Sequence, residues 1–202
     1  MIRYLALGDS YSIGEEVSED QSFPYQLLYG VNGLNSEQAE LKIIAVTGWT
    51  TSDLLNAIRI ENPSPGTWTF ISLLIGVNNQ YQGKPFELYE QEFNALLNKA
   101  IDLMEGDAGK VVVVSIPDYS VTPFAQESDQ NKITEEIHQY NTYAHDKAIE
   151  SGAQWVNITD ISLQAADQEA LITGDGLHPS GIQYGLWVKE IIPIVRKIID
   201  DE

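Results

Sequence analysis

The chain has 202 residues, and its content of 43% apolar and 20% charged residues is typical of a folded domain with a packed core. Its 11 basic and 30 acidic residues give a formal net charge of −19, which repels phosphate backbones and argues against a nucleic-acid partner. The sequence contains no cysteine, which excludes disulfides, thiolate metal sites and a cysteine nucleophile. The length predicts a single domain over residues 1–202.

Five short apolar runs predict buried β-strands along the chain. Most are rich in β-branched and aliphatic residues without strict alternation, a pattern typical of parallel strands that are covered on both faces. The five runs are residues 3–7, 41–46, 69–75, 110–116 and 154–158.

Three longer segments carry apolar residues at helical spacing, and each predicts a helix. They lie at residues 86–105, 132–151 and about 180–199, and Pro193 is a candidate kink in the last of them. Residues 117–131 are polar and predict a long loop after the fourth strand.

Strands that alternate with helices predict parallel pairing and right-handed crossover connections. The five strands therefore indicate an α/β fold, a three-layer α/β/α sandwich around a five-stranded parallel sheet of the flavodoxin-like type. In such a sheet, ligands bind beyond the carboxyl ends of the strands. We therefore expect the functional residues directly after each strand.

The opening residues 1–8 are too short for the apolar core of a signal peptide, and the sequence has no run of about 18 apolar residues. These observations predict a cytoplasmic protein without stable membrane insertion. A secreted protein whose signal peptide has been removed is the alternative.

Glycines and polar side chains follow the predicted strands, which leaves backbone N–H groups free to point into a site. These segments are residues 8–14, 47–51, 76–81, 117–120 and 173–179. The following aromatic residues are candidates for the wall of an acyl or sugar pocket, or else for core packing: Trp49, Tyr81, Tyr119 and Phe124.

Three of these segments contain the residue types of nucleophilic acyl transfer. A serine hydroxyl needs a base to remove its proton, and the base needs a third group to hold its tautomer. Ser10 is the candidate nucleophile, His178 the candidate base, and Asp175, three residues earlier, the group that orients the imidazole. The candidate donors to an oxyanion are the backbone N–H groups of Ser10 and Gly48 and the side-chain amide of Asn78.

These segments resemble the SGNH hydrolases, also called GDSL-type lipases and esterases. Residues 8–10, followed by Gly14, resemble the nucleophile block of that family, and Gly48 resembles its glycine donor. Residues 76–78 resemble the block that supplies the asparagine donor, and residues 175–179 resemble the D-x-x-H block. The resemblance covers nearly the whole chain and implies a Ser-His-Asp triad, an oxyanion hole and an acyl-enzyme intermediate.

The sequence departs from the family pattern at four positions. Asn79 stands where the asparagine block usually has an aspartate, and Val46 and Thr51 occupy the outer positions of the glycine block. Tyr11 replaces the leucine or isoleucine that commonly follows the nucleophile. The first departure implies different local hydrogen bonding, and Tyr11 implies a different pocket wall.

The leading hypothesis is a serine hydrolase that acts on acyl or acetyl esters of a small soluble molecule and needs no metal or organic cofactor. His138 and His145 lie seven residues apart on a predicted helix, and we expect them to be solvated rather than to bind a metal. One alternative is a flavodoxin-like protein that binds a flavin or phosphate at residues 8–14, although acidic neighbours disfavour it. The other is a catalytically silent relative that binds glycans or lipids. The oligomeric state is not predicted.

Overall fold

The computed structural model describes residues 1–30 and 39–201, and its five strands form one sheet. The strands are β1 (Ile2–Gly8), β2 (Ala39–Ala45), β3 (Phe70–Leu73), β4 (Val111–Val114) and β5 (Gln154–Val156). All neighbouring pairs are parallel, and the order across the sheet is β2-β1-β3-β4-β5. The predicted five-stranded parallel sheet is confirmed.

The carboxyl ends of β4 and β5 come earlier than the predicted ends at residues 116 and 158, because side chains replace the sheet partners. Asn141 Oδ1 accepts the N–H of Ile116 at 2.7 Å, and Asn141 Nδ2 donates to the Ile116 carbonyl at 2.9 Å. Ser115 Oγ accepts the N–H of Ile158 at 2.8 Å. Strand β3 likewise ends at Leu73, and β2 lies one or two residues earlier than predicted.

Eight α-helices occur in the described part of the chain. Three of them match the predicted helices to within two residues, whereas the sequence analysis did not single out the other five. The helices are α1 (Ser10–Ile13), α2 (Phe23–Gly30), α3 (Thr51–Glu61), α4 (Val77–Tyr81), α5 (Phe86–Leu103), α6 (Gln130–Ser151), α7 (Thr159–Ser162) and α8 (Gly181–Asp200).

Capping side chains fix where the helices begin. Helix α6 starts at residue 130 rather than the predicted 132 because Asp129 caps it and accepts the N–H of Lys132 at 3.1 Å. Helix α3 begins with a capping box in which Asp53 Oδ2 accepts the N–H of Thr50 at 2.9 Å. Helix α8 continues past Pro193 to its end at Asp200.

The helices cover both faces of the sheet and give three layers. Helices α2 and α8 pack against each other in one outer layer, and α3, α5 and α6 form a connected group in the other. The core lies between the layers, and the valines of β4 are buried completely or almost completely. Within residues 1–30 and 39–201, none of the helices combines the length and apolar character needed to cross a membrane.

The strand order places a crevice at the carboxyl ends of β1 and β3. Strand β1 pairs with β2 on one side and with β3 on the other. The chain therefore leaves β1 towards one edge of the sheet and later continues towards the opposite edge. In open α/β sheets such a reversal separates the neighbouring loops and creates the ligand crevice.

Candidate active site

The turn from β1 into α1 presents Ser10 at the edge of the sheet. Asp9 caps α1, and its Oδ1 accepts the N–H of Tyr11 at 3.0 Å. A Cβ atom on Gly8 would lie 2.1 Å from Ser12 Oγ and 2.5 Å from the Leu74 carbonyl oxygen. Only glycine therefore fits where the strand passes so close to the next turn.

A tight loop before α8 brings His178 to Ser10. The Thr173 N–H donates to the His178 carbonyl at 2.8 Å and closes the loop. His178 Nε2 lies 3.0 Å from Ser10 Oγ, although the two residues are 168 positions apart in the sequence. On its other side, His178 Nδ1 lies 2.5 Å from Asp175 Oδ2. The nucleophile, base and carboxylate predicted from the sequence therefore form one hydrogen-bonded chain.

Asp175 is held as a carboxylate by its neighbours. Its Oδ1 accepts hydrogen bonds from the N–H groups of Leu177 and His178 at 2.9 and 3.0 Å, and from Thr173 Oγ1 at 2.7 Å. Partial burial raises the pKa of Asp175, but these bonds and the His178 side chain outweigh it and hold the pKa well below its usual range. An ionised Asp175 favours the tautomer with the proton on Nδ1, which leaves Nε2 free to accept the serine proton.

The predicted oxyanion donors lie in the same pocket as Ser10 and His178. Gly48 has a φ of +82°, a conformation that favours glycine, and follows β2. Asn78 lies on α4, and its Nδ2 donates to the Trp49 carbonyl at 3.0 Å. Because a side-chain amide has two N–H groups, this bond orients Asn78 and leaves one donor for another acceptor.

Two of the departures from the family pattern contact each other. Asn79 is fully buried, its Oδ1 accepts the N–H of Thr51 at 2.9 Å, and its Nδ2 donates to Thr51 Oγ1 at 2.7 Å. An aspartate at position 79 lacks the amide donor, and a glycine at position 51 lacks the hydroxyl acceptor. The pair therefore compensates for both departures and ties α4 to the start of α3, on either side of the crevice.

The pocket above Ser10 is small and has a largely apolar wall. Its volume is about 210 Å³. Three of the four aromatic candidates line it, whereas Trp49 contributes its carbonyl to Asn78 and packs its side chain against the core. The wall is formed by Tyr11, Val77, Tyr81, Tyr119, Phe124 and Leu177. Val77 and Leu177 were missed by sequence reasoning, although each directly precedes a predicted site residue.

Asp9 is a further unusual group next to the nucleophile that sequence reasoning did not single out. Its side chain is completely buried, and its Oδ2 has no hydrogen-bond partner among the described residues. Burial raises the pKa of Asp9 to about 7, although the hydrogen bond from the Tyr11 N–H opposes this change. Burial therefore favours the protonated form of this carboxyl group, which directly precedes Ser10 in the sequence.

The two helical histidines remain apart from this site. His145 is exposed, its Nδ1 lies 2.9 Å from Asp146, and its ring meets Trp155 edge to face. His138 is exposed on the same helix. Over residues 1–30 and 39–201, no group of three or more histidine, aspartate or glutamate side chains is placed to hold a metal ion.

A family model identifies the family of this chain, and solved structures identify its fold. The model of the GDSL-like lipase/acylhydrolase family matches residues 6–186. A comparison with curated protein sequences gives no match.

Solved structures with the same fold include a lipolytic G-D-S-L family protein, a lipase/acylhydrolase and an acetylxylan esterase. A member of the lipolytic protein G-D-S-L family from Veillonella parvula has 16% identity and a TM-score of 0.71, over 96% of this chain and 97% of that chain. A lipase/acylhydrolase from Enterococcus faecalis has 17% identity and a TM-score of 0.71, over 98% and 96%. An acetylxylan esterase from Geobacillus stearothermophilus has 16% identity and a TM-score of 0.68, over 96% and 94%. At these identities the likeness concerns the fold.

Proposed function

Because the chain belongs to the GDSL-like lipase/acylhydrolase family, we propose that it is a serine hydrolase that cleaves carboxylic esters of small soluble molecules. Family membership supports ester hydrolysis in general. The observation that carries the finer proposal is the continuous chain from Ser10 Oγ through His178 to Asp175. The small apolar pocket above Ser10 supports a short acyl group as its occupant.

In the acylation step, Ser10 Oγ attacks the carbonyl carbon of the ester while His178 Nε2 takes the serine proton. The carbonyl oxygen becomes an oxyanion, which the N–H groups of Ser10 and Gly48 and the amide of Asn78 stabilise. The intermediate then collapses, the bond to the alcohol oxygen breaks, and His178 returns the proton to that oxygen. The products are the free alcohol and an acyl ester of Ser10.

Water completes the cycle by the same chemistry. His178 takes a proton from a water molecule, which attacks the acyl carbon of the Ser10 ester. The bond to Ser10 Oγ breaks, and the proton on His178 goes to the serine oxygen. Throughout both steps the ionised Asp175 stabilises the imidazolium that forms at His178.

A fluorophosphonate probe tests this proposal directly, because it forms a covalent bond with an activated serine. We expect stoichiometric labelling at Ser10 and loss of labelling and esterase activity in Ser10→Ala. Ser12 is the matched control because it lies on the same helix and is also buried, so Ser12→Ala should keep the label. A folded protein that neither reacts with the probe nor hydrolyses aryl esters would instead support a catalytically silent relative.

A further inference from the structure

The pocket above Ser10 is too small to enclose a whole substrate of ordinary size. Its volume of about 210 Å³ lies below the roughly 300–1,000 Å³ that is typical of small-molecule sites. A second cleft of about 590 Å³ adjoins it and shares Tyr81 and Tyr119 with it. We call this second space the outer cleft. It is bounded by α4, the start of α5 and α6, and by Ser128 and Asp129.

The outer cleft differs from the pocket in its chemistry. Its wall contains amide, hydroxyl, carboxylate and ammonium groups from many positions, so it offers both donors and acceptors. Its four charged residues balance, with Lys84 and Lys132 positive and Asp129 and Glu136 negative. A wall of this kind suits an uncharged ligand with several hydroxyl groups, because it provides many hydrogen bonds and little net potential.

A hydrogen-bonded chain links the outer cleft to the pocket. Tyr119 Oη donates to Gln80 Oε1 at 2.8 Å, and Gln80 Nε2 donates to Glu136 Oε2 at 2.8 Å. Lys132 Nζ lies 3.7 Å from the other oxygen of Glu136. These bonds fix the polar side chains before a ligand arrives, so the ordering cost on binding is small.

Aromatic rings mark the boundary between the two spaces. Tyr81 is 58% exposed, and its ring meets Tyr119 edge to face at 6.3 Å between centroids. Phe124 lies 5.7 Å from the Tyr81 ring. The exposed Tyr81 ring presents an apolar face with a polar hydroxyl at its rim, which matches the apolar C–H face and polar edge of a sugar ring.

We propose that the outer cleft binds the sugar part of an acylated sugar, while the short acyl group occupies the apolar pocket above Ser10. This inference rests on the proposed function, since it assigns the alcohol that the ester releases. A long acyl chain would bury the polar wall of the cleft without giving it partners, which is unfavourable. An anionic alcohol is also disfavoured. The two ammonium groups of the cleft are balanced by two carboxylates, and the protein around them carries a net negative charge.

A bulky substitution in the outer cleft tests the inference against a matched control. Gln139 and Asn131 are both exposed amide residues on α6, but only Gln139 lines the cleft. Gln139→Trp should raise KM for acetylated cellobiose by about tenfold or more and leave kcat/KM for p-nitrophenyl acetate within about twofold. Asn131→Trp should leave both substrates unchanged.

A third ester, p-nitrophenyl octanoate, shows whether the outer cleft holds a sugar or an acyl chain. If Gln139→Trp impairs p-nitrophenyl octanoate and spares acetylated cellobiose, the cleft holds an acyl chain and the inference is wrong. Unchanged kinetics on acetylated cellobiose would also overturn it.

A binding measurement keeps this result distinct from failure of the proposed function. Calorimetric titration of Ser10→Ala with cellobiose should show binding that the added Gln139→Trp weakens by about tenfold or more, whether or not the wild type hydrolyses any ester. Cellobiose that binds neither form, together with no preference for the acetylated sugar, would overturn the outer cleft as a sugar site. A wild-type protein that does not hydrolyse p-nitrophenyl acetate would count against the proposed function instead.

Discussion

At the scale of single residues, Asn78 is the sharpest test of the oxyanion site. In the proposed mechanism its amide donates to an oxygen that gains charge in the transition state, so the interaction should strengthen along the reaction. We expect Asn78→Ala to lower kcat by about 10²–10³ with little change in KM, the cost of one lost oxyanion donor. Steady-state kinetics on a soluble aryl ester would measure both constants.

The neighbouring Asn79 provides the control, because its substitution should lower stability rather than kcat. It is buried and bonds twice to Thr51, so Asn79→Ala should lower the free energy of unfolding by about 1–3 kcal/mol. Its kcat below the unfolding transition should fall far less than that of Asn78→Ala. A larger loss of kcat in Asn79→Ala than in Asn78→Ala would show that the oxyanion donor has been placed one residue too early.

Asp9 predicts an unusual dependence of stability on pH. In the folded protein its pKa is about 7, whereas the ordinary value is 3.8. Between these values the folded state holds a proton that the unfolded chain has released, so the free energy of unfolding falls as pH rises. The slope from this one group reaches about 1.4 kcal/mol per pH unit. Urea unfolding of wild type and Asp9→Asn should be measured from roughly pH 4 to 8, which covers the interval between the two pKa values. The free energy of unfolding should depend less on pH in the variant.

An exposed aspartate makes the matched comparison for Asp9. Asp20→Asn should keep the wild-type slope, because Asp20 is exposed on the surface. Identical slopes for wild type and Asp9→Asn would mean that Asp9 is ionised in the folded protein throughout this range.

Site residues that lie in short sequence motifs could be predicted from the sequence. Site residues that are defined by contacts between distant parts of the chain could not. Ser10, Asp175 and His178 each lie within a recognisable segment, and the structure brings all three together. The bond between Asn79 and Thr51 joins residues 28 positions apart and has no local signature. The burial of Asp9 likewise depends on neighbours from several elements, so its altered pKa could not be read from the sequence.

At the scale of elements, the turn from β1 into α1 is the most constrained feature of the site. A Cβ on Gly8 would overlap Ser12 and the Leu74 carbonyl, so Gly8→Ala must shift the strand or the helix that carries Ser10. We expect a loss of about 1–3 kcal/mol or more in the free energy of unfolding, together with reduced kcat. Thermal unfolding and aryl ester kinetics would measure the two effects.

Gly174 is the matched control for Gly8. A Cβ there would have no atom within 4 Å, so Gly174→Ala should change stability and activity little, although the residue adjoins Asp175. Adding Ser12→Ala to Gly8→Ala should not restore stability, because the contact with the Leu74 carbonyl remains at 2.5 Å. Full rescue would mean that the hydroxyl of Ser12 is the only obstacle.

Local apolar pattern explains which parts of the fold the sequence could predict. The strands lie in continuous apolar runs, and the three long helices repeat an apolar pattern over several turns. Helices α1, α4 and α7 have four or five residues, too few for a repeat of 3.6 residues to show. Of the three, only α1 has a side-chain cap at its start, from Asp9, so the existence of these short helices depends on packing in the tertiary structure.

At the scale of the whole molecule, the net charge of −19 should influence which esters reach the site. An acidic surface repels anionic substrates, and salt removes this effect as the Debye length falls from about 30 Å at 0.01 M to about 3 Å at 1 M. We expect kcat/KM for p-nitrophenyl hemisuccinate to rise severalfold over this range, while that for p-nitrophenyl butyrate changes little. An equal response of the two esters would exclude electrostatic repulsion as the cause.

The distance in sequence between Ser10 and His178 also fixes when the protein acquires its proposed chemistry during synthesis. The proposed nucleophile is translated first, and its proposed base follows 168 residues later. At roughly 5–20 residues per second, a ribosome needs about ten to thirty seconds to bridge that interval. Until then the nascent chain carries a serine without a partner to activate it. Premature termination before residue 178 would therefore release a fragment without the proposed base, and no separate inhibitor would be needed to keep the unfinished chain inactive.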